Sequence, residues 1–338
     1  MGRDRRNKSA RSTSRNRGAD SSLPEATENT RSDRLRARAA WMYFIEQMTQ
    51  NEIAEVLGIG RVSVVRMLAE ARTRQEVKIS IEAELTEIIR LERELEKRFG
   101  LDEAVVAPIS DATADPISVI GAATGGYLSK AMMSGMSVGV GWGRTLSSSI
   151  AYIRARPLDD FKAIALLGGV GIARDFNPPE FAWRFAQIFK GDGYLIPAPA
   201  VVDSVETKRA LIERCGLNDV LAMAEALDAV VVSVGDIDSV TTFYRGGYLC
   251  EKEREELAAK GAVGDLLFHF FDSDGRLVDH EINDRGMSVE IACLRKAPLR
   301  ILTSGGAEKI QALRGAMQLL GPTVFITDEH TARALLKG

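Results

Sequence analysis

Apolar residues in the N-terminal part of the chain recur at the three-four spacing of amphipathic helices. The spacing predicts helices over residues 33–47, 50–57 and 61–73, the second of which ends at Gly58. Residues 77–81 alternate apolar and polar side chains, which predicts a short strand and therefore a wing after the helices. A stripe of Leu, Ile and Phe predicts another helix over residues 85–99. That stripe suits packing on the domain that follows and equally suits contact with a second subunit.

Beyond Gly100 the pattern changes to short apolar runs that alternate with helical segments. The predicted strands are residues 104–107, 137–140, 163–167, 193–196, 229–234 and 300–302. The predicted helices are residues 117–133, 146–155, 180–190, 205–215 and 307–320. This alternation predicts an α/β fold, doubly wound, with a mainly parallel sheet between two layers of helices. Ligands of such sheets bind at the carboxyl ends of the strands.

Length and composition set the domain organisation. The 338 residues, 45% of them apolar, are enough for a small domain joined to a larger one. We predict a disordered basic tail at 1–32, a helix-turn-helix domain at 33–82, a linker or oligomerisation helix at 83–100 and an effector domain at 101–338. No apolar run is long enough for a signal peptide or a membrane span, so a cytoplasmic protein is expected. The few Cys and His residues lack metal-ligand spacing, so no metal and no cofactor are expected.

The net charge of −3 hides a basic N-terminus. Seven basic residues there face a single acid, Asp4: Arg3, Arg5, Arg6, Lys8, Arg11, Arg15 and Arg17. Such a tail fits non-specific contact with DNA phosphates, because each neutralised phosphate releases counterions. It also fits a solvated segment without a partner, since Ser, Asn and Gly separate the charges.

The run MTQNEIAEVLGIGRVSVVRMLAEAR at 48–72 satisfies the steric demands of a helix-turn-helix. Ala54 is small where the two helices cross, and Gly58 permits the positive φ of the turn. The core between the helices would come from Ile53, Leu57, Val64 and Leu68.

The second helix of such a motif enters the major groove by its first turn. The residues expected to reach base edges are therefore Arg61, Val62, Ser63 and Arg66. Thr49 and Gln50, at the start of the preceding helix, are expected to contact phosphates. The alternative is a three-helix bundle whose arginines are ordinary surface charges.

Three glycine runs each follow a predicted strand. The first holds Gly141, Gly143 and Thr145, the second Gly169 and Gly171, and the third Gly305, Gly306 and Lys309. Their amides, the Thr145 hydroxyl and the Lys309 ammonium suit an anion such as phosphate. A single glycine pair is more often a tight turn, but three runs at neighbouring strand ends favour a binding site. The spacing does not fit a dinucleotide fingerprint.

Over residues 35–336 the chain resembles the sugar-binding transcriptional regulators of the SorC/DeoR type. The resemblance rests on the helix-turn-helix run and on five further motifs: VGVGWGRTL at 138–146, LLGGVG at 166–171, GAVGDLLFHFFDSDG at 261–275, SGGAEK at 304–309 and ITDEHTARALL at 326–336. It implies an effector domain with the fold of sugar-phosphate isomerases and deaminases, kept as a sensor. It also implies a homo-oligomer, a tetramer or a dimer.

Carried over by position, the resemblance places Gly143 and Thr145 at a phosphate or a sugar hydroxyl, with Gly169 and Gly171 on the opposite wall. Lys309 would pair with a phosphate, and Asp265 would accept hydrogen bonds from hydroxyl groups. Arg144 departs from the pattern, because a small or hydroxyl residue is usual there; it either adds a positive charge or narrows the pocket. Residues 236–247 match the family poorly and are expected to carry ligand selectivity.

The function expected from these features is control of a carbohydrate or polyol catabolic operon. The partners would be double-stranded operator DNA and a small sugar, polyol or sugar phosphate that changes DNA affinity. The alternative is an aldose-phosphate isomerase or deaminase that carries a DNA-binding head. That reaction needs a general base and an acid beside the sugar. No compact carboxylate and histidine pair stands near the glycine runs in the sequence, which favours sensing.

Overall fold

A computed structural model describes residues 25–77, 86–111, 114–171, 177–237 and 249–337. The chain divides into two compact units, Met1–Ile81 and Glu82–Gly338. Residues 1–24 of the predicted tail, most of the predicted wing strand and most of the segment expected to carry selectivity lie outside the described ranges. None of the helices described in these ranges is long and apolar enough to cross a membrane.

Within residues 25–77, the smaller unit has three helices: α1 (Glu25–Phe44), α2 (Gln50–Leu57) and α3 (Arg61–Thr73). The bounds of α2 and α3 are those predicted. Gly58 has φ +64° at the end of α2, which confirms the turn. The buried core holds Ala39, Ala40, Met42, Ile53, Val64, Leu68 and Ala71, and Leu57 packs against it. One face of each helix therefore fills the core, and the other face is free for a partner.

Helix α1 begins at Glu25, so the prediction of a disordered tail as far as residue 32 was wrong for residues 25–32. That prediction followed from the scarcity of apolar residues there, which leaves little to offset the entropy of ordering. A helix is extended residue by residue from an established turn, so the packed part of α1 propagates into the polar stretch.

A buried arginine joins α1 to the end of α3. The Arg36 side chain is 2% exposed, and its guanidinium donates from Nη2 to Oδ1 of Asp33 at 2.7 Å and from Nε to Oε2 of Glu76 at 2.8 Å. Glu70 of α3 lies 3.5 Å from Nη1. Helical periodicity did not mark Arg36 as a core residue, because its burial depends on acids far along the chain.

The larger unit alternates strands and helices. The strands are β1 (Glu103–Ala107), β2 (Ser137–Val140), β3 (Lys162–Ala165), β4 (Asp192–Tyr194), β5 (Ala229–Val232), β6 (Gly235–Asp236), β7 (Gly264–Leu266), β8 (His269–Phe271), β9 (Leu299–Thr303) and β10 (Val324–Asp328). The α-helices are α4 (Thr86–Phe99), α5 (Ile117–Ala131), α6 (Arg144–Ser149), α7 (Pro178–Ile188), α8 (Val205–Arg214), α9 (Asn218–Met223), α10 (Glu251–Ala259), α11 (Ile282–Arg285), α12 (Ile291–Leu294), α13 (Ile310–Leu320) and α14 (Glu329–Lys337). Short 3₁₀ turns lie at Ile150–Tyr152, Ala224–Ala226 and Ala307–Lys309.

Seven strands form one parallel sheet in the order β1-β10-β9-β5-β2-β3-β4. From β2 the chain moves outward through β3 to β4, then returns to place β5 on the other side of β2. The strand order therefore reverses between β2 and β5. In a doubly wound sheet the crevice at this reversal is where ligands bind. The predicted α/β class is confirmed, and a small antiparallel sheet, β6-β7-β8, is an addition to it.

Helices cover both faces of the large sheet. Along β5, Val230 and Val232 enter the core on one side, while Ala229 and Val231 enter the core on the other. A strand whose side chains are buried on both faces shows a continuous apolar run rather than alternation, as the sequence does here.

Helix α4 packs on the larger unit of its own chain. Its apolar stripe, Ile88, Leu91 and Leu95, is buried in the core of that unit. Glu92 and Glu96 accept hydrogen bonds from the backbone N–H groups of Val106 and Ala104 in the edge strand β1, at 2.9 and 3.0 Å. The helix therefore covers an edge that would otherwise expose unpaired amides. The sequence left two interpretations of this stripe, packing on the following domain or contact with a second subunit. In this chain the stripe packs on the domain.

Candidate functional site

The loops after β2, β5 and β9 meet at the reversal of strand order. Gly143, between β2 and α6, has φ +128°, and a Cβ placed on it would lie 3.9 Å from the Cβ of Ser233 after β5. The hydroxyl of Ser304, after β9, donates to the backbone oxygen of Val234 at 3.4 Å. Gly141 lies deeper, where a Cβ would meet Val232 and Leu267 at 3.2 Å. Two of the three predicted glycine runs thus border one crevice.

Lys309 brings a positive charge to this crevice. It is half-buried, and among the residues that the structure describes it has no ion-pair partner. Burial lowers the pKa of Lys309, and the positive charge of Arg144 lowers it further, while Asp236, Glu308 and Asp265 act in the opposite direction. A desolvated ammonium that no described carboxylate meets in a close ion pair favours an anionic ligand, which would supply that contact.

Asp265 contributes a buried carboxylate. Its Oδ2 accepts a hydrogen bond from the N–H of Phe268 at 3.1 Å, whereas Oδ1 is buried without a hydrogen-bond partner. Burial raises the pKa of Asp265 to about 7; the negative charge of Asp236 adds to this effect, and the bond from Phe268 and the charge of Lys309 oppose it. A buried acceptor without a donor is costly unless a ligand satisfies it.

Arg144 and Thr145 open α6 at the rim of the crevice. Arg144 is exposed, and its Nη1 lies 3.5 Å from Oδ2 of Asp115, which fits the added positive charge better than a narrowed pocket. Thr145 is buried, and its hydroxyl makes no hydrogen bond to any other described residue. Trp142 stacks on Phe268 with ring centroids 6.3 Å apart, which ties this loop to the one that holds Asp265.

The second glycine run, at 168–171, has other neighbours than the first and third runs. The N–H of Gly169 donates to the oxygen of Ala198 at 2.8 Å, and its own oxygen accepts from Ala200 at 2.7 Å. Both backbone groups of Gly169 are thus used to join the end of β3 to the 196–201 segment. Gly171 is exposed and borders residues outside the described ranges. Neither of these two hydrogen bonds of Gly169 leads towards Lys309.

The third glycine run, at 304–309, is held in place by residues of β10 and α14. The N–H of Gly306 donates to the hydroxyl of Thr331 at 2.8 Å, and that hydroxyl donates to Oδ2 of Asp328 at 2.5 Å. A Cβ on Gly305 would lie 2.2 Å from the same Asp328 oxygen. Gly305 and Gly306 therefore fix the course of the loop that carries Lys309, and the Gly306 amide is not free to bind an anion. No role was predicted for Asp328 or Thr331.

The crevice suits binding better than proton transfer. Neither Asp265 nor Lys309 hydrogen-bonds to a histidine in the described ranges: the ring of His269 contacts Ser288 and Val289, and that of His280 contacts Glu256 and Ile282. No group of three or more potential metal ligands occurs among the described residues. The arrangement offers cations for an acidic group and a carboxylate for hydroxyl groups.

The smaller unit presents a second candidate surface, at the start of α2. Thr49 caps this helix, since its hydroxyl accepts from the N–H of Glu52 and the Glu52 carboxylate accepts from the N–H of Thr49. That carboxylate also accepts from the Thr49 hydroxyl at 2.7 Å. Those hydrogen bonds lower the pKa of Glu52 and keep it ionised. A cleft of about 600 Å³ adjoins this helix start and is lined by Tyr43, Phe44, Gln47, Met48, Thr49, Gln50, Asn51 and Arg61.

Helix α3 exposes the residues predicted to meet bases. Val64, Leu68 and Ala71 fix its buried face, which leaves Arg61, Val62 and Arg66 exposed and Ser63 half-buried on the other side. Val65 is also exposed on that side, which the sequence analysis did not single out. The first turn of α3 carries no acid that would repel phosphates.

The chain is similar to known proteins over most of its length. The profile of the family described as "Putative sugar-binding domain" matches residues 83–337. The erythritol catabolism regulatory protein EryD of Brucella abortus is 31% identical over 90% of this chain and 96% of its own length. The transcriptional regulator LsrR of Klebsiella pneumoniae is 32% identical over 96% of this chain and 98% of its own.

A solved structure agrees with these relatives. The full-length sorbitol operon regulator SorC from Klebsiella pneumoniae superimposes with a TM-score of 0.69 and 27% identity, covering 90% of this chain and 98% of the other. The relatives are named as regulators, which removes the support for an aldose-phosphate enzyme. The chain belongs to the sugar-binding domain family and is a transcription regulator of the SorC/DeoR type.

Proposed function

We propose that this regulator binds a small sugar, polyol or sugar phosphate in the crevice between β2 and β5, and that this effector changes its affinity for operator DNA. Two observations carry the proposal: Lys309 makes no close ion pair with any described residue, and the buried Oδ1 of Asp265 has no hydrogen-bond donor. An acidic group on one end of a ligand and hydroxyl groups on the other would satisfy both.

The operon under control is proposed to be one for carbohydrate or polyol catabolism. The names of the relatives mention erythritol catabolism, deoxyribonucleosides and a sorbitol operon, so effectors rich in hydroxyl groups are the ones to test first. Arg144 and Lys309 favour the phosphorylated members of this group, because two cations near one crevice are best neutralised by a dianion.

Helix α3 is proposed to read the major groove. Arg61, Val62, Ser63 and Arg66 would meet base edges, and Thr49 and Gln50 would hold a phosphate at the start of α2. Arg61 lines the same cleft as Thr49 and Gln50, which also brings it within reach of that phosphate.

Two-fold symmetric operators require two reading heads, so the working form is proposed to be a homo-oligomer, a dimer or a tetramer. We propose that it acts in the cytoplasm, where operator DNA and catabolic intermediates are both found, either as a repressor or as an activator.

A route for coupling leads from the crevice to α4, the helix that follows the DNA-binding unit in sequence. Thr331 of α14 holds the Gly306 loop, and Arg333, also in α14, lies 3.0 Å from Oε1 of Glu87 in α4. Two hydrogen bonds from Arg90 and one from Arg333 lower the pKa of Glu87 to about 2, which keeps this link charged. A ligand that moves the Lys309 loop would act on α4 through α14.

Thermal shift tests the proposal directly. The full-length protein is heated with free polyols, free aldoses or their phosphates, and a true effector at about 100 times its dissociation constant adds about 2.7 kcal/mol of stability. Lys309→Met should remove the shift given by a phosphorylated effector. Lys296→Met is the matched control, because Lys296 is an exposed lysine paired with Glu225. Equal shifts in both variants would refute the assigned site.

The second half of the test measures DNA binding. Operator affinity is determined by fluorescence anisotropy with and without the ligand found in the thermal screen. A ligand that stabilises the protein through Lys309 and leaves DNA affinity unchanged would show binding without regulation, and the coupling would then be rejected.

A further inference from the structure

Two valines stand exposed on the outward face of α3. Val62 is 83% exposed and Val65 is 44% exposed, between Arg61 and Arg66. Burial of Val64 and Leu68 fixes the rotation of the helix, so both valines face away from the core of the smaller unit. Exposed branched apolar side chains cost free energy in water unless a partner covers them.

The positive charge around the two valines indicates a negatively charged partner. Arg61 and Arg66 flank the valines, and the first turn of α3 holds no acid. Glu70, the acid further along α3, is engaged by Arg74 at 2.6 Å and lies 3.5 Å from Arg36. An apolar pair within a cationic surface matches a polyanion that also presents apolar groups. In the major groove of DNA that group is the 5-methyl of thymine.

We infer that Val62 and Val65 form a specificity element that recognises thymine methyl groups, so that the operator half-site carries thymines where α3 lies in the groove. This inference rests on the proposed role of α3. Residues three apart on a helix have Cβ atoms about 5–6 Å apart, and bases on one strand are about 3.4 Å apart. The two contacts therefore fall on neighbouring or next-but-one bases.

Valine suits this task. A β-branched side chain in a helix holds essentially one χ1 rotamer, so it loses little side-chain entropy on binding. It offers no hydrogen bond, so it cannot satisfy the exposed edges of guanine or cytosine, and those bases are disfavoured against it.

Deoxyuridine supplies the test, because it pairs like thymidine and lacks only the 5-methyl group. The operator is first selected from random duplex DNA with the full-length protein. Each thymine is then replaced singly, and dissociation constants are measured for the wild type, Val62→Ala and Val65→Ala. Val56→Ala is the matched control, since Val56 is a 54% exposed valine on α2.

For the wild type, replacement of one or two particular thymines should weaken binding about four-fold, the factor expected for one buried methyl group. The valine variant that faces such a thymine should bind the thymine operator more weakly and should not distinguish it from the deoxyuridine operator. Val56→Ala should keep the wild-type profile. All variants should have the melting temperature of the wild type, because the substituted side chains are exposed.

The inference is overturned if no deoxyuridine substitution weakens wild-type binding, or if all variants lose the same factor at the same thymine. It is equally overturned if the DNA-free valine variants change their sedimentation, which would mark the pair as a contact between copies of the chain. Failure to enrich any sequence would instead reject DNA reading by α3, and this inference with it.

Discussion

The guanidinium of Arg36 in α1 donates from Nε to Oε2 of Glu76 at 2.8 Å, across the end of the helix proposed to read DNA. The contact joins residues that lie on either side of the whole helix-turn-helix run. Because this ion pair fixes the far end of α3, we expect it to support recognition by the outward face of that helix.

Arg36→Leu should destabilise the smaller unit by about 1–3 kcal/mol, since the carboxylates around the guanidinium lose their charge-assisted hydrogen bonds but stay partly hydrated. Chemical denaturation followed by far-UV circular dichroism measures the loss. Arg74→Leu is the control: Arg74 is half-exposed and bonds Glu70 at 2.6 Å, so its loss should cost less than about 1 kcal/mol. If both variants lose the same free energy of unfolding, burial of Arg36 adds nothing to the stability of the smaller unit.

The same pair predicts a pH dependence. Hydrogen bonds from Arg36 lower the pKa of Glu76, so Glu76 binds its proton less tightly in the folded state than in the unfolded state. Its contribution to stability is complete above the unfolded pKa, about 4.3, and is lost as pH falls below that value. The stability difference between wild type and Arg36→Leu should therefore narrow below about pH 4. A difference that stays constant to pH 3 would contradict this.

Asp265→Asn should stabilise the ligand-free protein at alkaline pH. The pKa of Asp265 is raised to about 7 by burial, so the wild type loses stability as pH rises from about 4 to about 7 and no further above that. The variant lacks this loss. Its free energy of unfolding at pH 8 should therefore exceed that of the wild type by at most about 4 kcal/mol, and the difference should vanish near pH 4. Urea denaturation at both pH values measures it. Asp274→Asn, at an exposed turn, should change little at either pH.

Effector binding should be lost in the same Asp265 variant. The amide of asparagine offers one acceptor where the carboxylate offers two, so a hydroxyl-rich effector loses a hydrogen bond. Isothermal titration at pH 8 measures this. A variant that is more stable and still binds effector with unchanged affinity would remove Asp265 from the site.

Thr331→Val should weaken effector binding indirectly, through the loop that carries Lys309. The change leaves the Gly306 N–H without an acceptor and costs about 1–3 kcal/mol of stability, and the Lys309 loop loses its fixed course. Thr331→Ser keeps both hydrogen bonds and should behave as the wild type. The comparison of effector titrations separates positioning from general destabilisation: if valine and serine bind effector equally, Thr331 does not position the loop.

Arg333→Met tests the coupling route. Loss of the bond to Glu87 should leave effector affinity nearly unchanged and reduce the factor by which effector alters operator affinity. Arg276→Met removes an exposed arginine on a turn and should alter neither. A full regulatory response in the Arg333 variant would exclude this ion pair from the route.

The sequence predicted elements wherever local chemistry determines them. The start of α2 after Thr49 and the positive φ of Gly58 are set by residues within one turn, and both stand where predicted. The central strands were predicted because both of their faces are buried. Strand β10 was missed, since Asp328 passes into α14 at Glu329 with no glycine or proline between them.

The candidate site was predicted less completely, because its contacts join distant segments. Lys309 and Asp265 were singled out, and charge interactions relate them in the structure. No spacing rule indicates that the Gly306 amide is used by Thr331, that Gly169 pairs with the 196–201 segment, or that Arg36 is buried. These depend on how the sheet brings far-apart residues together.

The crevice is built from three loops, 141–145, 233–236 and 304–309, that only the folded sheet holds side by side. A ligand that touches all three acts as a reversible cross-link between distant parts of one chain. We expect the bound protein to open less often, so that its amides exchange slowly and proteases find fewer sites to cut. The cellular lifetime of the regulator would then itself record the supply of the sugar.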